Sequence, residues 1–119
     1  MKRRCKDSIF LKKINLTNFK LTFRSKYRAA DIEPKKNSNV QGALFEISKS
    51  DERKLDIYED YPILYKKYYF THYSKKVMTY TMTKKTSFTF PTERYLNIVK
   101  KGYIDCKLEK KYLIKALKA

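Results

Sequence analysis

The sequence predicts an α+β domain, a small mixed β-barrel or sheet flanked by helices. Three observations predict it. Apolar residues alternate with period two in 14–24, where Leu16 is followed by Phe19, Leu21 and Phe23, and again in 76–83. Apolar residues recur at helical spacing in two later stretches, Tyr95-Leu96-Val99 and Leu108-Tyr112-Leu113-Leu117. The chain has 119 residues, of which 42% are hydrophobic and 15% aromatic, enough for one domain with a real core and too little for two.

In chain order, residues 2–13 start polar and end in Ile9, Phe10 and Leu11, which reads as a short helix running into a turn. Residues 14–24 form a strand with one buried face. Residues 25–39 are polar, contain Pro34 and Asn37-Ser38-Asn39, and read as a loop. Residues 40–47 (VQGALFEI) are a short apolar run with the pattern of a buried strand; Gly42 inside it suggests close backbone approach or a bulge.

Ser48 or Ser50 can cap a helix that opens with Asp51 and Glu52, acids suited to the positive end of the helix dipole. Leu55 and Tyr58 share one face of that helix, and Pro62 stops it at or before Tyr61. Residues 65–73 and 76–83 read as two strands joined by a tight turn at Ser74-Lys75. Residues 84–91 are a loop. Thr92 caps a helix through Lys101, with Gly102 at its C-terminal cap. Residues 108–117 form a last helix. The sum is four or five strands and three or four helices in mixed order.

Composition excludes several classes. No apolar run approaches the roughly 18–20 residues of a membrane helix, so no membrane association is expected. The basic start MKRRCKDSIFLKK is followed by no apolar stretch of secretory type. Cys5 and Cys106 are therefore expected to be reduced, buried small hydrophobes in a cytoplasmic protein. Two Cys and one His make no zinc set, and two Gly make no phosphate loop. His72, the only histidine, has no pattern of a nucleophile's partner and reads as structural.

The charge is unevenly spread. The chain carries 29 Lys+Arg against 12 Asp+Glu, a net +17. Residues 51–60 hold five of the acids (Asp51, Glu52, Asp56, Glu59, Asp60) against Arg53 and Lys54, so this window is −3 and the rest of the chain +20. Tyr58, Tyr61, Tyr65, Tyr68 and Tyr69 follow closely. A carboxylate at the negative end of a helix, crowded by Asp60 and Asp56, is expected to hold its proton more tightly than usual, which is what a general acid/base needs. The plain alternative is a solvated helix surface.

The order VQGALFEI, SDERKLDIYEDYP, KVMTYTM, PTERYLNIVKKGYIDCKLEKKYLIKAL resembles the gamma-glutamylcyclotransferase-like family over nearly the whole chain. The resemblance implies a small mixed β-barrel flanked by helices. It implies an enzyme that cyclises a γ-glutamyl group to 5-oxoproline with release of an amine or amino acid, and that uses no metal or organic cofactor. The Glu of the family's Leu-Asp-x-x-Glu motif falls on Glu59, the implied catalytic acid/base. Its substrate-pocket tyrosines fall on Tyr65 and Tyr80. Asp56 is expected to be a structural hydrogen-bond acceptor.

Two departures stand out. The family opens with a strand and a Tyr-Gly-Ser-Asn loop whose amides hold the glutamyl group. This sequence contains no such string, and Met1 aligns just after it. The expectation is a fold lacking its first strand, with an exposed edge that a homodimer partner covers or that is a liability for solubility. Asp60 also stands where the family commonly has Gly. Two other readings compete with the enzyme. One is a non-catalytic remnant of the fold. The other is a basic module in which Tyr65-Lys66-Lys67-Tyr68-Tyr69 meets nucleic acid or an acidic partner; nucleic acid is the less expected partner, because a biased codon usage alone yields such a composition.

Overall fold

The computed structural model describes residues 8–118. The elements are β1 (Ile9–Arg24), β2 (Ala29–Glu46), α1 (Lys49–Tyr58), β3 (Tyr65–His72), β4 (Lys75–Met82), α2 (Glu93–Asp105) and α3 (Lys110–Leu117). The α+β class holds. β1 pairs with β2 and β3 with β4 in two-stranded antiparallel sheets, and no closed barrel forms among the described residues. No helix among them is long and apolar enough to cross a membrane. Contacts divide the chain into two compact units, one built on residues 46–84 with 8 and 9, the other on residues 10–45 and 85–118.

The second unit holds the larger apolar core. Phe23 is fully buried among Leu96, Tyr103, Leu113 and Ala116, with Tyr95, Val99, Leu108 and Leu117 around them. Each large apolar side chain among them, such as Phe23, Leu96 or Leu113, contributes on the order of 1.5–3 kcal/mol by leaving water. The apolar stripes of α2 and α3 therefore face where their spacing predicts. Thr92 caps α2, its hydroxyl accepting from Tyr95 N at 3.2 Å. Phe23 meets the Tyr95 ring edge-on at 6.3 Å, and the Tyr95 hydroxyl accepts from Ala30 N at 3.1 Å.

The β1–β2 ladder is longer than the sequence suggests. Residues 9–13, expected to be helical, are extended; the remainder of the expected helix, residues 2–7, lies outside the described residues. The alternation runs further back than Leu16, since half-buried Ile14 sits between exposed Lys13 and Asn15. Phe10 also packs across the ladder on Phe45, with ring centroids 5.5 Å apart. The expected loop 25–39 shrinks to a turn at 25–28, and β2 begins at Ala29. Asn18 and Asn37 both adopt left-handed φ, 62° and 65°. Asn37 N donates to Asn18 Oδ1 at 3.2 Å, which ties the two strands together where both residues leave extended backbone. Gly42 meets no close neighbour and no bulge needs it: a Cβ there would have open space. Residues 40–45 are half-buried, not fully buried.

The end of α2 differs from expectation. The helix passes through Gly102 to Asp105. Lys107 N donates to Ile104 O (3.1 Å) and Leu108 N to Tyr103 O (2.8 Å), the paired bonds of a Schellman closure. Lys107, with φ 55°, is the left-handed residue there.

In the first unit, Ser48 and not Ser50 caps α1, its hydroxyl accepting from Asp51 N at 3.1 Å. Leu55 is buried, but Tyr58 is exposed and does not share its environment. The helix ends before Pro62 in a second Schellman closure: Asp60 N donates to Ile57 O (3.2 Å) and Tyr61 N to Asp56 O (2.9 Å). β3 and β4 pair from Tyr65↔Met82 to His72↔Lys75. The two-residue turn is thus Tyr73-Ser74, one position earlier than expected, and both residues have the positive φ of a primed hairpin turn.

Candidate active site

Glu59 is the C-cap residue of α1, half-buried, its N–H donating to Leu55 O at 2.8 Å. The Schellman closure after it needs a left-handed residue at position 60, where φ is 52°. Glycine fits that backbone best, and Asp is one of the few other residues that tolerate it. The sequence departure at Asp60 therefore keeps the backbone that places Glu59 and adds a charge beside it.

One turn back along the helix, Asp56 gathers the site. Its Oδ1 accepts from the Tyr80 hydroxyl at 2.5 Å and its Oδ2 from Lys67 Nζ at 3.0 Å. Lys67 also donates to Glu52 Oε2 at 2.7 Å. Glu52 and Asp56 are four apart and share a helix face. Lys67 and Tyr80 lie directly opposite each other across the β3–β4 ladder, so both side chains rise from one face. Tyr65, two residues before Lys67, is on the same face; its buried ring meets that of Tyr80 edge-on at 6.5 Å. Lys67 Nζ also lies 4.5 Å from the centre of the Tyr61 ring.

The electrostatics follow from this wiring. Burial raises the pKa of the Tyr80 phenol, and the hydrogen bond to Asp56 with the charges of Asp56, Glu52 and Glu59 raises it further. The phenol stays protonated and its proton is committed to Asp56. Its oxygen lone pairs are left as acceptors. For Lys67 the bond to Glu52, then the bond to Asp56 and both charges, outweigh burial and raise the pKa of the ammonium.

Of the residues singled out in the sequence, the structure thus brings Tyr65 and Tyr80 into ring contact, and Glu59 lies near enough for its charge to act on the Tyr80 phenol. Asp56 accepts hydrogen bonds from Tyr80 and Lys67, as an acceptor was expected to. Sequence reasoning missed Lys67 and Glu52. The signals were present in the four-residue spacing of Glu52 and Asp56 and the two-residue offset of Lys67 from Tyr65.

His72 is half-buried in β3 with its ring 4.5 Å from that of Tyr73. Cys106 is a free thiol and only half-buried, because it is the C-cap of α2; Cys5 lies outside the described residues. Among the described residues no three His, Cys, Asp or Glu side chains converge as a metal site requires.

The chain belongs to the gamma-glutamyl cyclotransferase, AIG2-like family, whose model matches residues 1–102. No curated protein sequence matches it. Among solved structures it is similar to an uncharacterized protein from Homo sapiens, with a TM-score of 0.78 and 26% identity over 99% of this chain and 78% of that one. It is also similar to a gamma-glutamyl cyclotransferase, with a TM-score of 0.77 and 25% identity over the same shares.

Proposed function

We propose that this chain cyclises the γ-glutamyl group of a small substrate to 5-oxoproline and releases an amine or amino acid. The observation that carries this reading is the Tyr80 phenol, bonded to Asp56 while it feels the charge of Glu59. A phenol whose proton is already donated offers lone pairs to a substrate ammonium, and the carboxylate beside it can take that ammonium's proton.

The chemistry then runs in two halves. Glu59 accepts a proton from the substrate's α-ammonium, and the freed amine attacks the γ-carbonyl carbon to form the ring C–N bond. As the tetrahedral intermediate collapses, Glu59 returns the proton to the leaving nitrogen, the original amide C–N bond breaks, and the ring nitrogen gives its second proton through Glu59 to the released amine, which departs as an ammonium. One carboxylate serves both steps. Nucleophile and carbonyl belong to one molecule, so folding the substrate supplies much of the rate. Tyr65 and Tyr80 are the pocket walls in this reading. Lys67 offsets the charges of Asp56 and Glu52, leaving Glu59 as the carboxylate for proton transfer.

Incubation with a γ-glutamyl amino acid and quantification of 5-oxoproline tests the proposal. Glu59→Gln, checked by circular dichroism to be folded, is expected to lower turnover by about 10²–10⁴-fold, the usual share of a general acid/base. Unchanged turnover in that variant would refute the assignment of Glu59. Absence of product from the folded wild-type chain with any γ-glutamyl substrate would favour the non-catalytic reading.

A further inference from the structure

Within the unit built on residues 10–45 and 85–118, a groove of about 620 Å³ runs between residues 20–21 and 35–39 of the β1–β2 ladder and α3 with Lys118 after it. Lys20, Lys35, Lys36, Lys115 and Lys118 line it, together with the half-buried Tyr112, and among the described residues no carboxylate side chain does. Lys20 reaches Glu33 at a loose 3.7 Å; among the described residues the other four have no ion pair. Asn37, which also lines the groove, has left-handed φ and donates its N–H to Asn18 Oδ1 on β1.

Five ammonium groups around one cleft repel one another, and that cost falls when an anion enters. Lysines without arginine favour a particular ligand chemistry. A planar carboxylate is best met by the fixed fork of Arg, whereas Lys acts as a point charge suited to phosphate oxygens spread along a chain. The volume suits a ligand of nucleotide size. We propose that this groove binds a chain of adjacent phosphates, carried either by a nucleoside triphosphate or by an inorganic polyphosphate. It is separate from the candidate active site and does not depend on the function proposed for it.

Isothermal titration of the full chain with ATP and with inorganic tripolyphosphate tests this. Lys35→Ala/Lys36→Ala is expected to weaken both by roughly tenfold or more at low salt, where surface charges act over about 10 Å or further. Lys100→Ala/Lys101→Ala, which removes the same charge from the exposed side of α2, is expected to leave both unchanged. ATP binding more tightly than tripolyphosphate, with the excess lost in Tyr112→Ala, assigns a nucleotide; equal binding assigns the phosphate chain alone. The proposal fails if neither probe binds, if the two lysine pairs weaken binding equally, or if a single-stranded oligonucleotide binds far more tightly than ATP and is unaffected by Lys35→Ala/Lys36→Ala.

Discussion

Single residues set the protonation of this protein more than their number suggests. Tyr103 is 7% exposed in the core, and burial pushes its phenol up to about 12 from an ordinary 10. The neutral form is thus favoured in the folded state. Below pH 10 both states are protonated and the core is at full strength. Above it the unfolded phenol ionises first, and stability falls until about pH 12, by on the order of 2–3 kcal/mol. Tyr103→Phe is expected to show a smaller fall in Tm between pH 10 and 12; an identical fall would mean that other groups cause it. Tyr80 and Lys67 act in the same sense, since their raised pKa values are also lost only in alkali. That Tyr65, Tyr80 and Glu59 lie near one another was suggested in the sequence by motif spacing. Lys67 was not, because its acidic partners stand 11 and 15 residues earlier and only the hairpin brings them together.

At the scale of elements, α1, α2 and α3 were legible, while the first part of β1, expected to be helical, and much of β2 were not. Caps such as Ser48 and Thr92 are local chemistry, and the apolar stripes of α2 and α3 are periodic. Residues 29–39 of β2 carry Pro34 and three polar turn-formers, so local signals favour a loop; pairing with β1 overrides them, and pairing is not written in the segment itself. The position of Gly102 misled for a similar reason. Glycine marks a helix end only when the chain turns there, and here the left-handed residue is Lys107. Gly102 sits on the exposed side of the last turn of α2, with open space where a Cβ would be. Gly102→Ala should therefore stabilise the protein by about 0.5–1 kcal/mol, through helix propensity and a less flexible unfolded chain. A shift in the urea midpoint without a change in slope would show it. Destabilisation would mean that α2 ends at Gly102.

At the scale of the molecule, a net +17 chain still buries ions. Asp31 is fully enclosed, 3.3 Å from Arg24 Nε and 2.8 Å from Lys85 Nζ, while Arg24 also donates to Glu33 at 2.6 Å. Such a cluster is costly to break from one side, because the remaining charge keeps its burial and loses its partner. Asp31→Ala is expected to cost about 3 kcal/mol in chemical unfolding. Arg24→Met/Asp31→Leu should recover much of that. If Asp31→Ala is neutral, water already reaches the cluster. Composition announced the excess of lysine but not this cluster, whose members come from β1, β2 and the segment before α2.

The hairpin and α1 have one more consequence, for the order of assembly. Among the described residues, the bonds that join Asp56 and Glu52 to Lys67 and Asp56 to Tyr80 span at most 24 residues. The other unit must bring together residues as distant as Lys13 and Lys107, 94 apart. Short loops close quickly and at low entropic cost, while distant pairings wait. The acidic site is thus poised to form first as the chain folds, before Phe23 finds its core.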